Sequence, residues 1–331
     1  MTRSPILGRT WALAVAALIA FAACGGPVPI PGSSSLTGPG SGSGSKTDTN
    51  FGLSTNPGTS TSTGGSTAAA AWPPAGYTNV TAVTVGAYAL GPEITASTAD
   101  PSAGNMNGTA ASNCVAFLGV VRDFKMGNQP GGHPDFETAP AGDEPGIVAS
   151  TLGADNKPVY AATLRQPAGS TTGPDNFNQW YNNVPGVNMP YILALQLQPF
   201  KGAASFQATQ ESQPASSFFP LDNAGFGNQG EDHNFSFTTE IHTAFQYNGG
   251  ENFTFNGDDD VWVFINKQLV IDLGGRHAEE SKSVSIDSLG LTKGNVYDLA
   301  VFHAERHTTQ SNFRIDTTLS FTNCGEEIIN Q

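Results

Sequence analysis

The 331-residue sequence predicts an all-β protein, an antiparallel β-sandwich or jelly roll with long loop insertions and one short helix. Three observations support this prediction. Short runs rich in Val, Ile, Thr and Phe recur from about residue 81 to residue 324 and are separated by Gly-rich turns. Only one short segment has convincing helical features. The sequence contains no internal repeat, which argues against a solenoid or propeller.

The predicted strands follow one another along this region. Residues 235–247 alternate apolar and polar side chains, which predicts a long strand with one apolar face. Residues 261–265 are apolar throughout, which is typical of a strand buried on both faces. Residues 174–181 are the predicted helix, because Pro lies just inside its start and its aromatic residues share one side. The other predicted strands are 81–85, 115–124, 191–200, 296–302 and 313–321.

Turns and loops complete the predicted fold. Asn266 and Lys267 are expected to form a two-residue hairpin turn, which requires a positive φ at Lys267. Segments 126–148 and 205–232 are longer than ordinary connections and are predicted to be surface insertions that shape a site.

The composition indicates an exported protein that does not bind nucleic acid. Asp and Glu number 28 against 14 Lys and Arg, which gives a formal net charge of −14. An anionic surface repels phosphate backbones. Only 13% of residues are charged, and Gly is abundant, as in extracellular β-proteins.

The first 24 residues are predicted to be a lipoprotein signal peptide. Arg3 and Arg9 precede an apolar run over 11–21, and small residues lead to Cys24, an arrangement that resembles a bacterial lipobox. Lipidation of Cys24 would anchor the chain to the outer membrane or cell surface. Ordinary secretion is the alternative. Residues 25–80 are a Gly/Ser/Thr-rich tether, residues 81–325 the folded domain, and residues 326–331 a tail.

Two further cysteines lie in the predicted domain region. Cys114 and Cys324 form an even pair in an exported chain, which predicts a disulfide between the start and the end of the domain. Two buried free thiols are the alternative.

Six motifs, in this order, resemble the fibro-slime domain, a member of the protective-antigen (PA-fourteen) group of extracellular β-sandwich modules. They are Arg122-Asp123-Phe124, Gly132-His133-Pro134-Asp135-Phe136-Glu137, 233–240 (HNFSFTTE), 255–266 (FNGDDDVWVFIN), Asp272-Leu273-Gly274-Gly275 and His303-Ala304-Glu305-Arg306-His307. The resemblance covers about residues 115–324. Lys267 departs from the family, which commonly has Gly there.

The resemblance implies a β-sandwich of the protective-antigen type with a carbohydrate-binding or adhesive role. Some members hold Ca²⁺ between two adjacent aspartates, which correspond to Asp258 and Asp259. Asp260 replaces the usual Gly after this pair. Successive side chains of an extended strand point to opposite faces, so Asp258 and Asp260 would meet one ion more easily than Asp258 and Asp259 unless the intervening peptide is cis.

The acidic loop has two interpretations. Asp258, Asp259 and Asp260 are the predicted Ca²⁺ ligands, and Asn312 is the predicted additional ligand, because Ca²⁺ takes six to eight oxygens. A solvated acidic turn that binds nothing is the alternative.

A second cluster precedes the last predicted strand. His303, Glu305 and His307 are spaced by two and would share one face of a strand, as in a metal triad. We expect the strand to end before His307 and Arg306 to pair with a carboxylate, so we favour a hydrogen-bonded cluster or ligand contacts at His303, Glu305, Arg306 and His307 over a transition-metal site.

No nucleophile elbow, paired Cys and His, or nucleotide-binding glycine motif is present. The sequence therefore predicts a non-enzymatic surface module that binds polysaccharide or extracellular matrix, with its membrane contact made through the lipid anchor. A self-associating structural coat protein is the alternative, and an uncharacterised carbohydrate hydrolase is a third.

Overall fold

The computed structural model describes residues 78–82, 87–95, 116–137, 142–162, 169–200, 203–207 and 218–325. The predicted signal peptide with Cys24, nearly all of the predicted tether, Cys114 and the tail lie outside these residues. The predictions made for those segments are therefore not addressed by the fold. Within the described part, no helix is long and apolar enough to cross a membrane.

Sixteen strands and one α-helix form the described part of the chain. The first strand begins at Thr78, three residues before the predicted start of the domain. The strands are β1 (Thr78–Ala82), β2 (Ala87–Glu93), β3 (Ala116–Phe124), β4 (Gly142–Asp143), β5 (Asn188–Gln196), β6 (Gln198–Phe200), β7 (Ala203–Gln207), β8 (Phe237–Gln246), β9 (Asn252–Gly257), β10 (Asp260–Ile265), β11 (Gln268–Leu273), β12 (Gly275–Arg276), β13 (Glu280–Ser285), β14 (Val296–Glu305), β15 (Phe313–Thr317) and β16 (Ser320–Asn323), and the helix is α1 (Pro174–Phe177).

These strands form two large sheets. The nine-stranded sheet has the order β1-β2-β5-β3-β8-β14-β10-β11, with β16 pairing to β8, and the five-stranded sheet has the order β13-β9-β15-β7-β6. Strands β4 and β12 form a small separate pair. Neighbouring strands run antiparallel, as between β10 and β14 or β9 and β15. The predicted all-β, antiparallel sandwich is confirmed.

Strand β10 of the nine-stranded sheet is buried on both faces. Along β10, Val261, Val263 and Ile265 belong to the core shared with the five-stranded sheet. Trp262 and Phe264 alternate with them and belong to a second core, which includes Phe136, Phe177 and Trp180 from the loops and α1. Because side chains alternate along a strand, one apolar run serves both cores. The prediction of a strand buried on both faces is confirmed.

The hairpin turn after β10 also follows the prediction. Asn266 and Lys267 have φ values of 50° and 64°, and β10 pairs with β11 directly across them. Both residues therefore occupy the left-handed region that a two-residue hairpin turn requires.

The helix is shorter than predicted. It ends at Phe177 rather than at residue 181, although Trp180 and Tyr181 are buried beside Phe177 as expected. Asn side chains bond to the backbone just beyond it: Asn182 donates to the carbonyl of Asn178 at 2.7 Å. Such local bonds compete with helix continuation.

Strand β8 differs from its predicted half-exposed character. Its apolar face lies in the main core, but its polar residues are buried as well, including Glu240 at 0% exposure. The strand lies between β3 and β14, and Lys157 and Trp180, outside the strands, contact its polar face. Several buried polar side chains have specific partners: Arg122 and Lys157 bond to Glu240, and Thr238 donates to the carbonyl of Trp180.

Two predicted strands are each divided between the two large sheets. Predicted strand 191–200 divides at Leu197 into β5 and β6, which belong to different sheets, and predicted strand 313–321 divides into β15 and β16 in the same way. The loop predicted over 126–148 is exposed at residues 128–131, as expected of a surface insertion, but it also contributes to an inner packing layer, in which Phe136 and Ile147 are fully buried.

The carboxyl end of the domain returns to strand β3. The amide of Leu118 donates to the carbonyl of Cys324 at 2.8 Å. Cys114 lies outside the described residues, so the disulfide between Cys114 and Cys324 stays a prediction.

Candidate functional site

A cleft of about 230 Å³ opens at one end of the sandwich, where three connections meet. The β9–β10 connection contributes Asp258 and Asp259, the segment after β12 contributes His277, and the β14–β15 loop contributes His307. The complete lining is Asp258, Asp259, Arg276, His277, Ala278, His307, Thr308, Thr309 and Gln310. The cleft therefore combines two carboxylates with several side chains that can bond hydroxyl groups.

Asp258 is held in place by Asn312. The backbone amide of Asn312 donates to Asp258 Oδ1, and Asn312 Nδ2 donates to Oδ2 at 2.8 Å. The carbonyl of Asp258 lies 2.7 Å from Nε2 of His303. The side chain of Asp258 is only 3% exposed although it lines the cleft. The structure thus places Asn312 beside Asp258, and its role as an additional ligand stays a prediction.

Asp259 lies directly beside Asp258 in the cleft. The peptide bond between them is cis. Asp259 Oδ2 accepts a hydrogen bond of 3.0 Å from the amide of Arg306, and the residue is 5% exposed. Among the described residues, no hydrogen bond reaches its other carboxylate oxygen. That oxygen is available to a bound ion or ligand.

The pKa values of Asp258 and Asp259 are both raised. Burial raises the pKa of Asp258 to about 6, although the hydrogen bonds from Asn312 oppose the rise. Burial also holds the pKa of Asp259 well above its usual range, with Arg306 opposing the rise and the carboxylates of Asp260 and Asp258 adding to it. Burial is thus the main cause of both raised pKa values, and two arginines face this charge: Arg306 opposes the rise at Asp259, and Arg276, which lines the cleft, interacts electrostatically with Asp259 and Asp260.

Asp260 does not belong to the cleft, contrary to its prediction as a Ca²⁺ ligand. Its Oδ1 accepts the amide of Gly275 at 2.7 Å, and its Oδ2 accepts Arg306 Nε at 2.6 Å. It is fully buried and absent from the cleft lining. The sequence placed three adjacent carboxylates at one loop, but strand alternation turns the third one inward to an arginine.

Arg306 connects this loop to the inner packing layer. Besides its ion pair with Asp260, its Nη1 donates to the carbonyls of Asp135 and Ser170 at 3.1 and 2.8 Å. Its guanidinium carbon lies 4.6 Å from the ring centre of Trp180. The predicted pairing of Arg306 with a carboxylate is found, and its fully buried position explains why it does not reach the cleft.

Of the other three predicted contact residues, two are buried away from the cleft and one lines it. His303 and Glu305 are fully buried, and only His307 lines the cleft. Burial lowers the pKa of His303 to about 4, so its imidazole is neutral. Strand β14 ends at Glu305, as predicted, and no His, Cys, Asp or Glu side chains among the described residues form a group of three that could hold a metal ion. A cation at Asp258 and Asp259 would need further amide, hydroxyl or backbone oxygens.

Sequence reasoning missed several residues of the site. Arg276 and His277 directly follow the motif that ends at Gly275, so their proximity to a recognised motif was the available signal. Glu137 holds the β14–β15 loop in place: its carboxylate accepts hydrogen bonds from the amide of Thr308 at 2.9 Å and from the Thr308 hydroxyl at 3.1 Å. This contact joins residues 171 positions apart, which no local pattern reveals.

Comparison with known proteins places the site within a family. The PA14 domain matches residues 211–331, a range that includes Asp258, Asp259, His307 and Asn312. The resemblance to the protective-antigen group that the six motifs implied is therefore confirmed for this region.

Relatives and solved structures give further similarities to the PA14 region and its surroundings. The chain is 40% identical over 227 residues to protein psiQ and 41% identical over 215 residues to protein psiD, both from Dictyostelium discoideum. These matches cover 64% and 61% of this chain but only 22% and 40% of the relatives. The PA14 sugar-binding domain from an RTX adhesin aligns with 64% of this chain and 99% of its own, at 8% identity and a TM-score of 0.28.

Proposed function

We propose that this protein is a lipid-anchored cell-surface binding module that recognises polysaccharide or extracellular matrix through Ca²⁺ held at Asp258 and Asp259, and that it is not an enzyme. The observation that carries the proposal is the pair of adjacent, nearly buried carboxylates in an open cleft. Such a pair repels unless protons or a cation compensate its charge. Extracellular modules bind Ca²⁺ with affinities that reach the millimolar range, and we propose an affinity of this kind for this exported protein.

The donor set fits a hard cation. Ca²⁺ takes six to eight oxygen ligands in flexible geometry. Asp258 and Asp259 supply carboxylate oxygens, Asn312 has an amide group in contact with Asp258, and Thr308 and Thr309, which also line the cleft, supply hydroxyls. Asp260 is not part of this set, because it is fully buried and does not line the cleft. A bound Ca²⁺ would offer open coordination positions to neighbouring hydroxyl groups.

The remaining cleft residues suit a hydroxyl-rich ligand. His277, Thr308, Thr309 and Gln310 present donors and acceptors around the carboxylates, and the cleft has few apolar side chains. One PA14 domain, from an RTX adhesin, is described as sugar-binding. Saccharides are therefore the first ligand class to test. The anchoring part of the proposal rests on the sequence of residues 1–80, with Cys24 as the lipidated residue.

Binding to an immobilised polysaccharide panel tests this function. The purified full-length chain is applied with Ca²⁺ and with a chelator, beside Asp258→Asn and a matched control, Asp232→Asn. Asp232 is exposed and lies outside the cleft. We expect wild type and the control to bind one class of polysaccharide only with Ca²⁺, and Asp258→Asn to lose at least about tenfold in affinity.

Three results would contradict the proposal. Binding that persists in chelator would remove the role of the cation. Absence of binding together with concentration-dependent self-association in ultracentrifugation would favour a structural coat protein. Release of soluble product from the panel would show a hydrolase.

A further inference from the structure

A second cleft, of about 270 Å³, lies beside the second core of the nine-stranded sheet. One wall is the turn at residues 155–159, and the other is formed by the end of α1 and the residues up to 182. These segments lie outside the range 211–331 that the PA14 domain matches. The second cleft shares no lining residue with the cleft that contains Asp258.

The bottom of the second cleft is apolar. Phe177 and Tyr181 line it and are only 1% and 2% exposed. The ring centre of Phe177 lies 4.9 Å from that of Trp180, and the ring centre of Tyr181 lies 6.5 Å from that of Trp262. Val159, which also lines the cleft, is 43% exposed. The cleft therefore offers an apolar surface that continues from the core to the solvent.

The opening of the second cleft is polar. Asp155, Asn178 and Asn182 line it and are exposed. Asp155 Oδ1 accepts the amide of Lys157 at 3.1 Å, and no described residue bonds to Oδ2. Asn182 Nδ2 donates to the carbonyl of Asn178 at 2.7 Å, whereas the side-chain amide of Asn178 bonds to none of the described residues. The opening thus presents both donors and acceptors to a ligand.

Hydrogen bonds within each wall hold the second cleft open. The amide of Gly153 donates to the carbonyl of Lys157, and the amide of Ala149 donates to the carbonyl of Val159, each at 2.8 Å. In the other wall, Asn188 Nδ2 donates to the carbonyl of Asn182 at 2.8 Å. A site whose walls are fixed in advance loses little conformational freedom when a ligand binds.

The charges at and behind the second cleft balance. Lys157 lines the cleft and pairs with the buried Glu240 at 2.5 Å. Glu240 also pairs with Arg122 at 2.7 Å, and Asp155 supplies a second carboxylate. With His242, which also bonds to Glu240, counted as neutral, two positive charges face two negative ones. This balance favours a neutral ligand over a charged one.

We propose that the second cleft binds one neutral saccharide unit without Ca²⁺. Hydroxyl groups both donate and accept, so they suit the mixed opening at Asp155, Asn178 and Asn182. The C–H face of the sugar ring packs against Val159 and the apolar bottom. The volume of about 270 Å³ is below the range of roughly 300–1,000 Å³ for drug-sized ligands, which limits the occupant to a single small unit. This inference goes beyond the proposed function and does not depend on it.

Saturation-transfer NMR with free monosaccharides tests the second cleft. Glucose, galactose and mannose are titrated separately into the purified full-length chain in the presence of a chelator. A single small unit binds weakly, with a Kd of about millimolar, so free sugar at high concentration is used rather than retention on immobilised polysaccharide. We expect saturable binding of at least one of the three sugars.

Asn178→Ala removes one amide from the opening. We expect it to weaken binding of that sugar about fivefold, with an unchanged melting temperature. The matched control is Asn128→Ala, since Asn128 is exposed and lines neither cleft. We expect the control to stay within about twofold of wild type.

Asp155→Asn tests the charge balance. It keeps an oxygen that can accept the amide of Lys157 but removes one negative charge from the opening. The affinity for glucuronic acid relative to the neutral sugar should therefore rise about three- to fivefold. A merely structural role of Asp155 would leave this ratio unchanged. This ratio also tests the inference if Asn178→Ala fails to fold.

Three results would overturn the inference. They are no saturable binding of any of the three sugars by wild type, equal affinities of Asn178→Ala and Asn128→Ala, and an unchanged ratio in Asp155→Asn. Because every measurement is made in chelator, these results would leave the Ca²⁺-dependent function at Asp258 and Asp259 standing. Failure of that function would likewise leave the second cleft as a saccharide site.

Discussion

Nη2 of Arg306 lies 2.6 Å from Oδ2 of Asp260, and neither side chain is exposed to solvent. This ion pair joins the start of β10 to the end of β14, and the other bonds of Arg306 join both to the loop layer at Asp135 and Ser170. The cleft carboxylates Asp258 and Asp259 precede Asp260 directly. The ion pair therefore fixes the position of the loop that presents them.

Replacing Arg306 should destabilise the fold strongly. Arg306→Met leaves Asp260 buried without its partner, and breaking a buried pair in this way costs about 3–5 kcal/mol. Urea unfolding followed by tryptophan fluorescence measures the loss. The control is Arg314→Met, whose partner Asp316 lies at the same distance of 2.6 Å but is 27% exposed. A loss at Arg306 no larger than that at Arg314 would contradict the structural role of the pair.

Glu240 should make stability depend on pH below the physiological range. Burial alone would raise the pKa of Glu240, but Arg122, Lys157 and His242 outweigh it and hold the pKa well below its usual value of 4.5. The folded-state pKa is thus lower than the unfolded one. Its stabilising contribution is complete above about pH 4.5 and is lost as the pH falls below that value.

The variant Glu240→Gln measures this contribution. We expect it to be less stable than wild type by about 3–5 kcal/mol at pH 7, with a difference that shrinks as the pH is lowered below 4.5. Chemical denaturation across pH 3–8 follows both proteins, beside Glu279→Gln as an exposed control that should stay within about 0.5 kcal/mol of wild type. A constant difference at all pH values would contradict the ionised state of Glu240.

Replacing Lys267 with glycine should raise the free energy of unfolding. Its φ of 64° lies in the left-handed region, which costs a non-glycine residue about 1 kcal/mol. Lys267→Gly should therefore raise the free energy of unfolding by up to about 1 kcal/mol, whereas Lys267→Ala should not. Thermal unfolding distinguishes the two variants. Equal effects of Gly and Ala would show that the side chain, not the backbone, determines stability at this turn.

Much of the fold was predictable because it depends on local alternation. The apolar run of β10 and the turn at Asn266 and Lys267 follow directly from side-chain type and chain direction. The burial of the polar face of β8 did not follow from its sequence. The partners of Glu240, at Arg122 and Lys157, are 118 and 83 residues away.

The candidate site was predictable only in part for the same reason. The two carboxylates at Asp258 and Asp259 were recognised from a motif, and Asn312 from its place before the last strand pair. The removal of Asp260 from the site depends on Arg306, 46 residues later, which no spacing rule connects to it. Arg276, in β12, and the adjacent His277 also line the cleft.

Calorimetric titration of Ca²⁺ into the chelator-treated wild-type chain, beside Asp258→Asn, is the most direct test of the central claim that the paired carboxylates form a cation site. We predict a saturable heat of binding with one ion per chain for wild type, and at least about tenfold weaker binding for Asp258→Asn. No heat of binding with wild type would contradict it, and the acidic loop would then serve only to begin strand β10.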